Sequence, residues 1–235
     1  NQIVCLSSSP WFPLPTSKQQ VMSRLHDAQI LYFDPPVTYL APLKDKSLKP
    51  RLRDYKKAGQ RIKDGLTVYA LPPIIPFYNK FRFISKLNGR KIARFVRKIM
   101  IKHAFSDPVL WCYLPTAADI QKRVPHSALV YSCVDRHSAF KGFINPAVVN
   151  GMERELAAAC NAVFCTASGL YDTLKPYNER THMIPNGANY ELFSSVARPD
   201  GNMDAIPKDM YPDDMFTIKG PVLGFVGALQ ACIDY

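Results

Sequence analysis

The chain has 235 residues, 47% of them hydrophobic, and a formal charge of +11, a composition that suits one large or two small globular domains. It excludes a membrane-spanning helix, because no apolar run approaches the ~20 residues a bilayer demands and the most apolar stretch, 66–78, is broken by Pro72, Pro73 and Pro76. A zinc module or disulfide framework is disfavoured: Cys5, Cys112, Cys133, Cys160 and Cys165, five of the six cysteines, form no CxxC pair and sit in or beside apolar runs, as buried thiols of a reducing cytoplasm do.

Ile3-Val4-Cys5-Leu6-Ser7 opens the chain as a buried strand, with no basic, apolar leader before it, so no signal peptide is expected. The loop that follows, 7–13, holds no glycine, which disfavours the GxGxxG fingerprint of an NAD-binding enzyme. In doubly wound folds ligands sit beyond the strand C-termini, the position of Ser8, Ser9 and Trp11. Two readings stand side by side there: hydroxyls and an indole face flanking a sugar, or a plain connection with Trp11 packed beneath the rim.

Residues 15–26 predict the first crossover helix, and apolar runs at 29–33, 67–71, 109–113, 129–134, 162–166 and 181–184 predict further strands. These runs lack polar alternation, so neither face meets water, and helix-like segments separate them. The pattern predicts an α/β fold, a Rossmann-like parallel sheet with helices on both faces.

Between Lys80 and Lys102 stand nine Lys and Arg residues and no acid. Residues 87–105 are amphipathic, with Ile92, Phe95, Val96, Ile99 and Met100 on one side and Arg90, Arg94, Arg97 and Lys98 on the other. The bland reading is a core helix with a solvated back. The sharper one is a face that binds anionic lipid. Nucleic acid would answer to the same charge, but no readout module accompanies it.

Val134-Asp135-Arg136-His137-Ser138 leaves the run at 129–134 on the same rim, where Asp135 and His137 offer a carboxylate and an imidazole for acid–base work or for holding a hydroxyl. Alternatively, Asp135 satisfies backbone donors of the turn. Asn145 caps a helix with Pro146 at its first position, and Val149, Met152, Leu156 and Cys160 mark its inner face. Glu153 and Glu155 are two apart and point to different faces, so they form no catalytic pair: Glu153 is expected to face a structural partner and Glu155 solvent. A short helix at 168–175 is stopped by Pro176, and an Asn186-Gly187 turn leads to a linker at 196–220 and a new strand at 221–227.

The ordered set resembles retaining GT-B glycosyltransferases of the broad family-4 group, with a closer likeness to bacterial members that make teichuronic acid and other surface polysaccharides. The segments that carry it are Trp11-Phe12 with Lys18-Gln19-Gln20, 31–36, 130–135, Glu153 with Leu156, 162–170, 184–193 and 221–227. The resemblance implies an acceptor domain over 1–195, an interdomain linker over 196–220 and the first strand of a donor-binding domain over 221–235. It implies a hexosyltransferase-like enzyme that takes a nucleotide-sugar as co-substrate, with no further cofactor and no metal. The acceptor would be a glycan or a lipid-linked sugar, on a cytoplasmic protein peripheral to the inner membrane face. Asp135 falls on the family's strand-tip acid, and Asn186 and Gly187 on the Asn-Gly of its interdomain segment; Ser8, Ser9, Trp11, His137 and Ser168 join them as substrate-binding candidates from their places in rim loops. Ala188-Asn189 stands where Val-Asp is usual, and Arg136 replaces a second acid. With most of a donor domain lacking, the chain alone is expected to be silent. The competing reading is a non-catalytic α/β module that binds a membrane or a partner through its basic helix.

Overall fold

The computed structural model describes residues 1–140 and 142–196. Asn1–Gly187 forms one compact unit, and a second begins at Ala188. Of the second, the described part is a helix over Tyr190–Val196. The linker expected over 196–220 (Val196 apart) and the strand expected at Pro221 lie outside the described residues.

The first unit is built on eight strands: β1 Gln2–Leu6, β2 Gln29–Asp34, β3 Gln60–Lys63, β4 Leu66–Ala70, β5 Val109–Cys112, β6 Ala128–Cys133, β7 Ala162–Cys165 and β8 Thr181–Met183. They form one sheet in the order β3-β4-β2-β1-β5-β6-β7-β8. Every pairing is parallel except that of β3 with β4. The seven expected strands are all present. β3 was not foreseen, because Gln60-Arg61-Ile62-Lys63 is mostly polar and exposed. It is the outer arm of a hairpin closed by Asp64-Gly65, with Gly65 at φ 79°, a left-handed position suited to glycine.

The helices of this unit are α1 Ser17–Arg24, α2 Ala41–Lys44, α3 Arg51–Asp54, α4 Arg82–Lys102, α5 Ala117–Ile120, α6 Pro146–Ala159 and α7 Ser168–Leu174. α1 begins at a capping box, in which the Thr16 amide and hydroxyl donate to Gln19 Oε1 at 2.9 and 2.6 Å. α6 begins as expected, with Asn145 Oδ1 accepting from the Ala147 amide at 3.0 Å and Pro146 in the first turn.

Alternate residues of each strand enter two cores, one per sheet face. Val4, Leu6, Leu31 and Phe33 meet α4, α5 and α6 in the larger core. Ile3, Cys5, Ile30 and Tyr32 meet Met22 of α1 in the smaller. On that second face the row Trp111, Phe164 and His182, with ring centroids 6.0 Å apart at each step, is only partly covered. Cys5, Cys112, Cys133, Cys160 and Cys165 are buried and unbridged.

Candidate functional site

Seven parallel strands deliver their C-terminal ends to one edge of the sheet. The strand order reverses between β1 and β5, the crevice where open α/β sheets bind ligands. A cavity of ≈ 60 Å³ opens there, lined by Leu6 and Ser7 at the end of β1, Leu114 and Thr116 beyond β5, and Tyr78 and Asn88 from the α4 side.

The loop after β1 is pinned from several directions. Asp34 Oδ1 accepts from the Trp11 amide at 2.8 Å, and Gln19 Nε2 donates to the carbonyls of Pro10 and Trp11 at 2.6 and 3.2 Å. The Trp11 ring meets Tyr32 edge-on, with centroids 4.9 Å apart. Trp11 is therefore 9% exposed and belongs to the smaller core. The open indole face suggested for a sugar is absent, and the packed alternative describes this residue. Its neighbour Phe12 is the exposed aromatic, at 51%. Ser9 is half-buried, with its hydroxyl 3.1 Å from Thr16 Oγ1, and Ser8 beside it is half-buried too.

Asp135 is exposed just past β6, while His137, two residues on in a single 3₁₀ turn, is buried. The ring of His137 lies edge-on to Phe140, and its Nε2 has no hydrogen-bond partner among the described residues. Burial holds this imidazole below its ordinary range, against the attraction of Glu153 and Asp135. Lys18, in the first turn of α1, is drawn into the same electrostatic group: burial lowers its pKa, with Asp135 acting the other way. An exposed carboxylate and a partly desolvated ammonium thus share the rim, with the His137 imidazole buried beneath them. Such a set can hold hydroxyls and stabilise charge.

Beside them, a cleft of ≈ 170 Å³ runs between α6 and α7. Arg136, Ser138, Asn150, Arg154 and Tyr177 give it a polar wall, and Glu153 lies at its floor. Glu153 is 6% exposed and accepts from Tyr131 Oη at 2.6 Å, the structural partnership expected of it. Glu155 lies half-exposed and accepts from Arg82 at 2.6 Å. Ser168 is exposed at the start of α7, and the Arg136 guanidinium lies against Gly169. Asn186 and Gly187 are exposed at the end of the first unit, beyond β8. Arg90, Arg94, Arg97 and Lys98 are exposed on α4.

Lys18 was quoted in the sequence only for its place in a motif. Its role in the rim group is new, and the signal that marks it is a lysine in the first turn of a helix opening at the rim. Among the described residues no helix is long and apolar enough to cross a membrane, and no cluster of His, Cys, Asp and Glu fits a metal ion.

No protein-family model matches the chain, and no curated protein matches it. Among solved structures it is similar to a trehalose-6-phosphate protein from E. coli bound with UDP-2-fluoro glucose, at TM-score 0.50 and 11% identity. The match covers 85% of this chain and 52% of that one, so the chain spans about half the length of its neighbour. At that identity the likeness establishes the fold: the Rossmann-like α/β sheet predicted from the strand pattern is shared with the neighbour.

Proposed function

We propose that this chain is the acceptor-binding half of a GT-B glycosyltransferase. Its co-substrate is a nucleotide-sugar, and its acceptor a glycan or lipid-linked sugar of a cell-surface polysaccharide, with retention at the anomeric carbon. The observation that carries the reading is the exposed carboxylate of Asp135 just past β6, on the edge where seven parallel strands end and the strand order reverses. The neighbour's bound UDP-2-fluoro glucose supports the choice of co-substrate.

In this reading the acceptor hydroxyl approaches at the strand tips, held by the Ser8–Ser9 turn, while His137, buried beneath, supports the loop that carries Asp135. The leaving phosphate of the donor takes the acceptor proton. Asp135 faces the sugar, where positive oxocarbenium-like charge grows in the transition state. Fixed negative charge at that point is worth more in the transition state than in the ground state. Ser168, Asn186 and Gly187 lie beyond neighbouring strands and complete the acceptor wall.

The test is a panel of nucleotide-sugars offered to the full-length protein, with nucleoside diphosphate release as the readout. Asp135→Asn keeps the shape of an exposed side chain and removes its charge, so turnover should fall on the order of 100-fold with the melting temperature unchanged. Unaltered turnover would return Asp135 to a turn-forming role.

A further inference from the structure

We propose that the outer face of α4 docks on an anionic lipid bilayer, with Phe83 and Leu87 entering the interface and Arg90, Arg94, Arg97 and Lys98 meeting the headgroup phosphates. The proposal stands whether or not the chain transfers sugar.

α4 has 21 residues and so is roughly 30 Å long. Its inner face is fixed to the body through Asn88, Ile92, Ala93, Val96, Ile99 and Met100, all buried. Positions 83, 87, 90, 94, 97 and 101 are spaced by three and four and share the opposite face. The sequence marked this face as purely basic. The structure adds large apolar groups to it: Phe83 is 63% exposed, Leu87 46% and Ile101 76%. A merely solvated helix back has no use for a phenylalanine, a leucine and an isoleucine in line with its arginines. None of the four named basic residues takes part in an ion pair among the described residues. Arg82 differs, being engaged by Asp119 and Glu155, and it is not counted.

α4 follows β4 and runs back along a parallel sheet, which places its Phe83 end at the ligand-binding edge. Exposed Phe81, 43% accessible, lies 6.0 Å from the Phe83 ring and extends the apolar end. Nucleic acid would be attracted by the same cations. The interleaved apolar side chains decide for a bilayer, which offers phosphates and hydrocarbon together.

Each cation close to an anionic leaflet tightens binding about fivefold. The experiment is co-sedimentation of the chain with vesicles of phosphatidylcholine alone and of phosphatidylcholine with phosphatidylglycerol, at low and high salt. Binding should require the anionic lipid and weaken as salt rises, because the attraction is screened over ~10 Å at 0.1 M. Changing Arg90, Arg94, Arg97 and Lys98 together to Gln should weaken it by roughly several hundred-fold. Phe83→Ser with Leu87→Ser should weaken it about tenfold or more through lost apolar burial, leaving the salt slope in place. Circular dichroism and melting temperature should match the parent, since these side chains are exposed and none of the four cations is ion-paired among the described residues. Equal binding to neutral vesicles, indifference to either set of substitutions, or tighter binding to an RNA oligonucleotide than to anionic vesicles would overturn the proposal.

Discussion

A buried imidazole whose Nε2 lacks a partner is comfortable only while it is neutral. The pKa of His137 is lowered by burial from the ordinary 6.5, so the unfolded chain binds the extra proton first as pH falls. The stability tied to this group is therefore complete above about pH 6.5 and is lost as pH drops from there through the folded pKa. His103 is held down too, by burial and by Lys102, and loses stability in the same window. The measurement is the melting temperature between pH 7.5 and 5, which should fall for the parent and fall less for His137→Gln; equal slopes would show that His103 or other groups carry the dependence. A second residue-scale prediction concerns Tyr131, whose phenol donates to the buried Glu153 carboxylate. Tyr131→Phe should cost about 1–3 kcal/mol by removing that donor, read by urea unfolding. The Glu153 partnership was legible in the sequence from simple parity, because neighbours two apart on a helix diverge. Trp11 was not decidable, since an indole after a strand serves core or ligand equally well until the Asp34 and Gln19 contacts that turn it inward are known.

At the scale of elements, continuous apolar runs marked every parallel strand to within a residue or two, because a strand buried on both faces has nowhere to place polar groups. β3 escaped for the converse reason: an edge strand with exposed side chains has no apolar run, though its Asp-Gly turn was a usable signal. The start of α4 escaped as well. The helix begins at Arg82 rather than near residue 87, and the exposed Phe83 and Leu87 disguise its amphipathic period. Where α4 crosses α5, its backbone comes close: a Cβ on Gly89 would stand 2.8 Å from Asp119 Cβ and 3.0 Å from its carbonyl oxygen. Gly89→Ala should therefore destabilise by about 1–3 kcal/mol through overpacking, although alanine is the better helix former by about 1 kcal/mol. A chemical-denaturation midpoint at or above the parent's would show that the crossing can relax.

The whole molecule depends on features no local pattern announces. That β1 lies between β2 and β5 decides where the crevice falls, and strand order follows from long-range packing rather than from any residue run. The same holds for the layer of helices over the larger core, where one ion-pair cluster spans three of them. Arg82 reaches from α4 to Asp119 of α5 and Glu155 of α6 at once, and Ser85 donates to the same Asp119 carboxylate at 2.6 Å. The Asp119 side chain is only 6% exposed, whereas that of Glu155 is 50% exposed. Removing the guanidinium would leave one carboxylate uncompensated in a poorly hydrated place and return the other to water. Arg82→Ala should thus cost about 3 kcal/mol or more, a fall of about 10 °C in melting temperature for a domain of this size. Glu155→Gln, which breaks only the exposed arm, should cost at most about 1 kcal/mol. High salt should trim the smaller effect and leave the larger one nearly intact, since the buried arm is little screened. Equal losses from the two variants would mean that apolar packing alone holds the three helices together.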